Sequence, residues 1–199
     1  MKRAEAAAIA PLAKGEPSQE TIRTAISELD KIIEEHKEYA SAYNNRAQAQ
    51  RLLLGDDLTK YGTCGIWEDL KTCITLAKSA PEDQRDEKLL GAAYTQRGVL
   101  LLATAKSLKT LDNTESRQNL PEDLSSLGVE SSGEPSNMEK EAESAFKDGA
   151  KYGDEAAKMM VVHLNPMRKL CGQMVREALR RDMEESGVFD RRDRDGGEA

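Results

Sequence analysis

Few side chains in this sequence have the type and spacing to carry out a reaction. His36 lies near a helix end and His163 in an apolar helix, and neither has a second His or a carboxylate at metal-ligand spacing. Cys64, Cys73 and Cys171 are odd in number and lack the close paired spacings that hold zinc, so neither a disulfide framework nor a metal site is expected. There is no Gly-rich phosphate loop, no Ser-centred nucleophile elbow and no paired His and Cys arrangement. Asp and Glu number 36, but carboxylates spread over helix surfaces do not define an acid and base pair. Catalysis therefore has no positive support, and no cofactor is expected. What remains is hydrogen bonding and ion pairing by two short clusters, Asn44-Asn45-Arg46 and Thr95-Gln96-Arg97.

Both clusters lie inside an octet that occurs twice, Ala42-Tyr43-Asn44-Asn45-Arg46-Ala47-Gln48-Ala49 and Ala93-Tyr94-Thr95-Gln96-Arg97-Gly98-Val99-Leu100. Each copy runs aromatic, two polar residues, Arg, then a small residue. That order resembles the first helix of a tetratricopeptide repeat, a helix-turn-helix unit in which bulky and small residues alternate so that two helices approach closely. Tyr43, Ala47, Tyr94 and Gly98 are then structural. The two tyrosines lie 51 positions apart, whereas uninterrupted repeats have a period of about 34, so loops or helix extensions must absorb the remainder.

The elements that would position these clusters are helical throughout. Aromatics make up only 4% of the chain and charged residues 33%, a balance that favours helices over a sheet, and the expected fold is all-α. Met1 to Lys14 is Ala-rich, with Pro11 weakening its last turn. Ser18 can cap a helix whose Ile22, Ala25, Ile26, Leu29, Ile32 and Ile33 line one face to about Glu35. Ala40 to Leu54 carries the first octet and stops near Gly55, and its partner runs from Ile66 to about Lys78. Asp56 to Gly65 between them is a local insertion. Glu87 to Lys109 carries the second octet and pairs with Met138 to about Tyr152. The segment from Thr110 to Asn137 that separates them lacks apolar density and is expected to be disordered, apart from a turn of helix near Leu120 to Leu127. A last helical stretch, Asp154 to Glu185, breaks at Asn165-Pro166 and would cover the exposed face of the third pair. Residues 186–199 form a solvated tail.

Composition narrows the partners. A net charge of -7 argues against a general nucleic-acid binder, which needs a basic face. The start of the chain is a poor signal peptide because Glu5 interrupts its apolar stretch, and no run reaches the length of a membrane span. A soluble protein of the cytoplasm, with the nucleus also open to it, is the expectation.

The first octet in its wider setting, Ala40-Ser41-Ala42-Tyr43-Asn44-Asn45-Arg46-Ala47-Gln48-Ala49-Gln50-Arg51-Leu52, resembles more than a generic repeat. With Glu68-Asp69-Leu70, Gln96-Arg97-Gly98-Val99-Leu100 and the downstream Leu164-Asn165-Pro166, Leu170-Cys171 and Met174, it is similar to the tetratricopeptide repeat protein 36 family. The chain departs from that family in beginning almost at the first repeat and in having Met167 where an aromatic usually follows the Asn-Pro pair. The resemblance implies a right-handed α-solenoid of three repeats with a C-terminal capping helix. It further implies a non-catalytic adaptor, linked to heat-shock chaperones and to the control of tyrosine catabolism.

Related three-repeat co-chaperones hold C-terminal carboxylates in a clamp of Lys, Asn and Arg. Asn45 stands at the central amide position of that clamp, but Ala92 and Gln96 replace its later basic groups, and the first-helix places fall near Glu5 and Ile9. Arg46 is expected to reach Asp69 on the partner helix. Arg97, lacking an equivalent acid beside Phe146, is left with Glu141, Glu143 or solvent. The first helices of the pairs would display Asn44, Asn45, Gln48, Arg51 and Leu52, then Thr95, Gln96 and Val99, along a groove for a protein client. The alternatives are a groove filled by the chain's own C-terminal helix, or a receptor for chaperone tails.

Overall fold

The computed structural model describes residues 1–13, 15–55, 65–110 and 135–185. Among them are eight α-helices and no strand: α1 (Lys2–Ile9), α2 (Gln19–Glu35), α3 (Ala40–Leu54), α4 (Ile66–Ser79), α5 (Glu87–Thr110), α6 (Pro135–Lys151), α7 (Glu155–Leu164) and α8 (Pro166–Glu185). The fold is all-α. Short 3₁₀ turns occupy Ala10–Ala13, where Pro11 ends the α1 ladder, and Glu82–Gln84. The chain forms two compact units, Met1–Lys158 and Met159–Ala199.

Local chemistry explains the helix ends. The Ser18 hydroxyl accepts from the Thr21 amide at 3.1 Å and caps α2. Asp86 does the same for the Leu89 amide at 3.0 Å, and Asp154 for Ala157 at 2.8 Å. Gly55, with φ of 59°, closes α3, and Gly65, with φ of 74°, opens α4 in the left-handed region that side-chain-free glycine tolerates. Helix α7 stops at Leu164 and Pro166 starts α8, the position where its missing N–H costs nothing. The boundaries differ from expectation at the long insertion: Thr110 belongs to α5, and Pro135, Ser136 and Asn137 belong to α6, again with Pro at the first position. The remainder of that insertion, 111–134, with its expected helical turn, lies outside the described residues. So do 56–64 of the shorter insertion and the tail 186–199.

Within the first unit each helix packs on its neighbours in sequence, α1 on α2 and so on to α5 on α6, with a further contact between α3 and α5. The α2 face of Ile22, Leu29, Ile32 and Ile33 joins Ala8 of α1 and Ala42 and Ala49 of α3 in one apolar cluster. Ile66, Leu70 and Cys73 of α4, Leu90, Leu100 and Leu101 of α5, and Met138 and Phe146 of α6 are fully buried. Trp67 is buried as well, and its indole N–H has no hydrogen-bond partner among the described residues.

Helices α5 and α6 come together because glycine lines the contact. A Cβ built on Gly98 would lie 2.8–3.0 Å from three atoms of the Phe146 ring. One on Gly149 would lie 2.9 Å from the Thr95 hydroxyl, and one on Gly91 3.1 Å from the Asp154 Cβ. The small residue of the second octet is thus needed for space. Gly98→Ala should lower stability by about 1–3 kcal/mol despite alanine's better helix propensity, because the enclosed ring cannot withdraw. Urea unfolding checks this, and adding Phe146→Leu should recover part of the loss, giving a non-additive double mutant.

Candidate functional site

Successive residues on a helix point about 100° apart, so three neighbouring side chains can address three different directions. Asn44, Asn45 and Arg46 do so from α3. The Arg46 guanidinium donates from Nε to Asp69 Oδ2 at 2.8 Å and from Nη2 to Oδ1 at 2.5 Å, a two-pronged pair with α4. Its Nη1 donates to Asp30 of α2 at 2.7 Å, and its carbon lies 5.7 Å from the centre of the Tyr43 ring. One side chain thereby joins α2, α3 and α4. The two ion pairs differ in weight: the Asp69 side chain is 5% exposed and Asp30 46%, so the Asp69 pair is held away from water and the other is screened. Burial pushes the Asp69 carboxyl above its ordinary value, against the opposing pull of Arg46. The hydrogen bonds to Asp69 hold the Arg46 guanidinium further toward its charged form.

Asn45 turns toward α1. Its amide donates to Glu5 Oε1 at 2.7 Å, while the Tyr39 hydroxyl donates to the other carboxylate oxygen. Glu5 is buried at 7% exposure, so the only acid of α1 sits between two neutral donors of its own chain. Burial first, and then Glu5, push the Tyr39 hydroxyl up to about 12. Asn44 turns the other way, and its oxygen accepts from the Gln96 amide of α5 at 3.1 Å.

These contacts correct part of the expected groove. Asn44 and Gln96 are not displayed: they are 4% and 8% exposed and bond each other across the contact between α3 and α5, where an unpaired amide would be costly. Asn45 is half-buried and its amide is taken by Glu5. The half-buried Thr95 hydroxyl bonds the Gly91 carbonyl at 2.8 Å, and Val99 is likewise half-buried. Gln48, Arg51 and Leu52 are exposed, Leu52 to 51%, and lie at i, i+3 and i+4 on one face of α3.

The other residues singled out in the sequence sit as follows. Ala47 is fully buried. Tyr43 donates to the Lys37 carbonyl at 3.0 Å. Buried Tyr94 stacks on Tyr152 with ring centres 5.9 Å apart, and the Lys78 ammonium lies 5.2 Å from the Tyr94 ring. Arg97 approaches Glu141 at 4.0 Å, while Glu143 pairs with Lys147. Asn165 is the residue between α7 and α8, and Pro166 is the first of α8. Two participants escaped the sequence reading: Tyr39, which donates to Glu5, and Asp30, the second acid on Arg46. Glu5 could have been found as the one acid in an Ala-rich helix, since burying such a helix forces a partner upon it. Cys73 is buried, and burial pushes its thiol up to about 12, which makes it a poor nucleophile. Among the described residues no group of His, Cys, Asp or Glu could hold a metal ion, and no helix is long and apolar enough to cross a membrane.

The chain is 33% identical over 202 residues to the L-tyrosine degradation gene cluster protein hmgX of Aspergillus fumigatus, an alignment covering 92% of this chain and 76% of that protein. It belongs to the hmgX family. It is also 29% identical over 168 residues to tetratricopeptide repeat protein 36 of Xenopus tropicalis and 29% identical over 155 residues to the protein of that name from Danio rerio. Those alignments cover 84% and 78% of this chain and 61% and 59% of the two vertebrate proteins. The relationship to the tetratricopeptide repeat protein 36 family, read from the first octet and from Leu164-Asn165-Pro166, therefore stands. No protein-family model and no solved structure matches the chain.

Arg46→Met keeps the length of the side chain but leaves Asp69 buried without a cation. A loss of about 3–5 kcal/mol at pH 7 is expected from urea unfolding, on the scale of a buried pair broken from one side. Because burial raises the Asp69 carboxyl above 3.8, its contribution to stability is present at low pH and is lost as pH rises through the folded value. Removing Arg46 takes away the group that opposes that rise. The deficit of Arg46→Met relative to wild type should therefore be largest near neutral pH and narrow as the pH falls toward 4; a deficit that widened on acidification would contradict this assignment.

Proposed function

We propose that this chain is a non-catalytic adaptor of three tetratricopeptide repeats, α1 with α2, α3 with α4 and α5 with α6, and that it serves L-tyrosine degradation by binding a protein client. The observation that carries the reading is the division of labour on α3. Its Asn44, Asn45 and Arg46 are spent on holding other helices, while Gln48, Arg51 and Leu52 remain together in solvent. An amide, a guanidinium and an exposed leucine within one turn can bond and bury an extended peptide or a helix. The pathway comes from hmgX, whose name places it in an L-tyrosine degradation gene cluster, and the repeat architecture from tetratricopeptide repeat protein 36. The cytoplasm is the compartment that suits Cys73 as a free thiol.

Glu5 weighs against the chaperone-tail alternative. A tail carboxylate would need the Asn45 amide, and there it would meet a carboxylate of the same charge already bonded to it. The client is accordingly a protein engaged farther along α3.

The test is affinity purification of the tagged chain from cells grown on L-tyrosine, comparing wild type with Gln48→Ala/Arg51→Ala/Leu52→Ala. The three positions are exposed, so helix content should be unchanged by circular dichroism. An enzyme of L-tyrosine degradation should be recovered with wild type and fall by about tenfold or more with the variant, corresponding to roughly 1.4 kcal/mol of binding. Equal recovery would exclude this face of α3, and recovery of no such enzyme would exclude the pathway assignment.

A further inference from the structure

Helix α8 carries its charges the wrong way round for its own dipole. Its first turn holds Arg168 and Lys169 and no acid, and its last turn ends on Glu184 and Glu185 with no base. The helix dipole is positive at the N-terminus and negative at the C-terminus, so both ends repel the charges placed there. Along its middle, Met174, Val175 and Leu179 are 61%, 58% and 56% exposed, an unusual density of apolar surface.

The order of residues answers both features at once. About a point between Arg176 and Glu177, six of the nine mirror-related residue pairs of α8 match, either opposite in charge or both apolar, the exceptions being Cys171 with Asp182, Gly172 with Arg181 and Gln173 with Arg180. Arg168 and Lys169 stand as far before that point as Glu185 and Glu184 stand after it, and Met174 and Val175 match Leu179 and Ala178. A second copy of the helix laid antiparallel on a two-fold axis through this point would set each basic first turn beside an acidic last turn. It would also oppose the two dipoles and bring the apolar residues of both copies together at the centre. A parallel pair would instead put like charges side by side.

We infer that α8 is a self-association surface through which two copies of this chain pair antiparallel, centred between Arg176 and Glu177. A two-fold interface of this kind contacts itself, as closed homodimers require. Basic and acidic residues occur in similar number on α8, five of the first and four of the second, which suits a second copy better than an anionic lipid surface. A single helix seam is at the small end of protein interfaces, so the association is weak and depends on concentration. The inference does not rest on the proposed client or pathway.

Sedimentation equilibrium of the full chain at 0.05 M salt tests it. The mass should rise from 22.0 kDa toward twice that value as the concentration goes from about 1 to 100 µM. Arg168→Glu/Lys169→Glu, which places acid against acid, should remain monomeric, as should Leu179→Glu, with helix content monitored by circular dichroism. Adding Glu184→Lys/Glu185→Lys to the first variant exchanges the charges end for end and should restore the dimer, a rescue that a purely structural role for these residues would not produce. A wild-type chain that stays monomeric throughout would overturn the inference. So would a dimer unaffected by the charge reversal, or a monomer that floats with phosphatidylserine vesicles.

Discussion

The first unit depends on the burial of a charge on α4 that Arg46 of α3 satisfies. Asp69 sits on α4 away from water, and an ionised carboxylate there is tolerable only with a cation held in good geometry against it. Arg46 supplies that cation through two parallel hydrogen bonds, and its position in turn fixes how α3 lies on α4. The remaining guanidinium nitrogen then reaches Asp30 on α2. Once Arg46 is in place, helix periodicity directs Asn45 toward α1 and Asn44 toward α5, and each finds a partner of matching hydrogen-bonding character. Three adjacent residues thus bring five helices into register. An ion pair of this kind is a weak source of net stability but a strong penalty for any arrangement that breaks it.

That constraint also shapes which polar groups of the unit stay exposed. Polar residues beside one another on a helix could all have faced solvent, and their types alone would make each a plausible ligand contact. The structure spends the first three on holding the fold and leaves Gln48, Arg51 and Leu52 of the next turn exposed. Glu5 has the largest consequence, because it carries a negative charge to the amide that would otherwise suit a carboxylate ligand. The relative hmgX is named for an L-tyrosine degradation gene cluster, and the proposed role follows that name. The chemistry of α3 narrows the place where such a role would be exercised.

Much of the helical framework was open to sequence reasoning because its signals are local. The Ile and Leu spacing of α2, the Ser18 cap, Gly55 and the Asn165-Pro166 break each act over a single turn, and α3 runs from Ala40 to Leu54 as the spacing predicts. The pairing of Arg46 with Asp69 could be foreseen because both lie within one expected pair of helices, α3 and α4. Gly98 and Phe146 were harder: the octet marks a small residue, but that its neighbour is an enclosed ring 48 positions away is a matter of packing. The burial of Asn44 and Gln96 is not legible in the sequence for the same reason. Both occupy helix faces that turn inward only because α3 and α5 touch directly.

The sequence by itself determined the class of fold, the start and end of most helices and the kinship with one repeat family, since propensity, capping and repeat spacing are properties of short stretches of chain. The tertiary structure decided which polar side chains are consumed in contacts between helices and which stay exposed. That choice depends on which atoms lie within about 3 Å of one another across separate helices. Glu5 and Asn45 are forty positions apart, and Asn44 and Gln96 fifty-two, so no local pattern announces either pair. Only packing brings them within hydrogen-bonding distance, and burial then makes the bond obligatory.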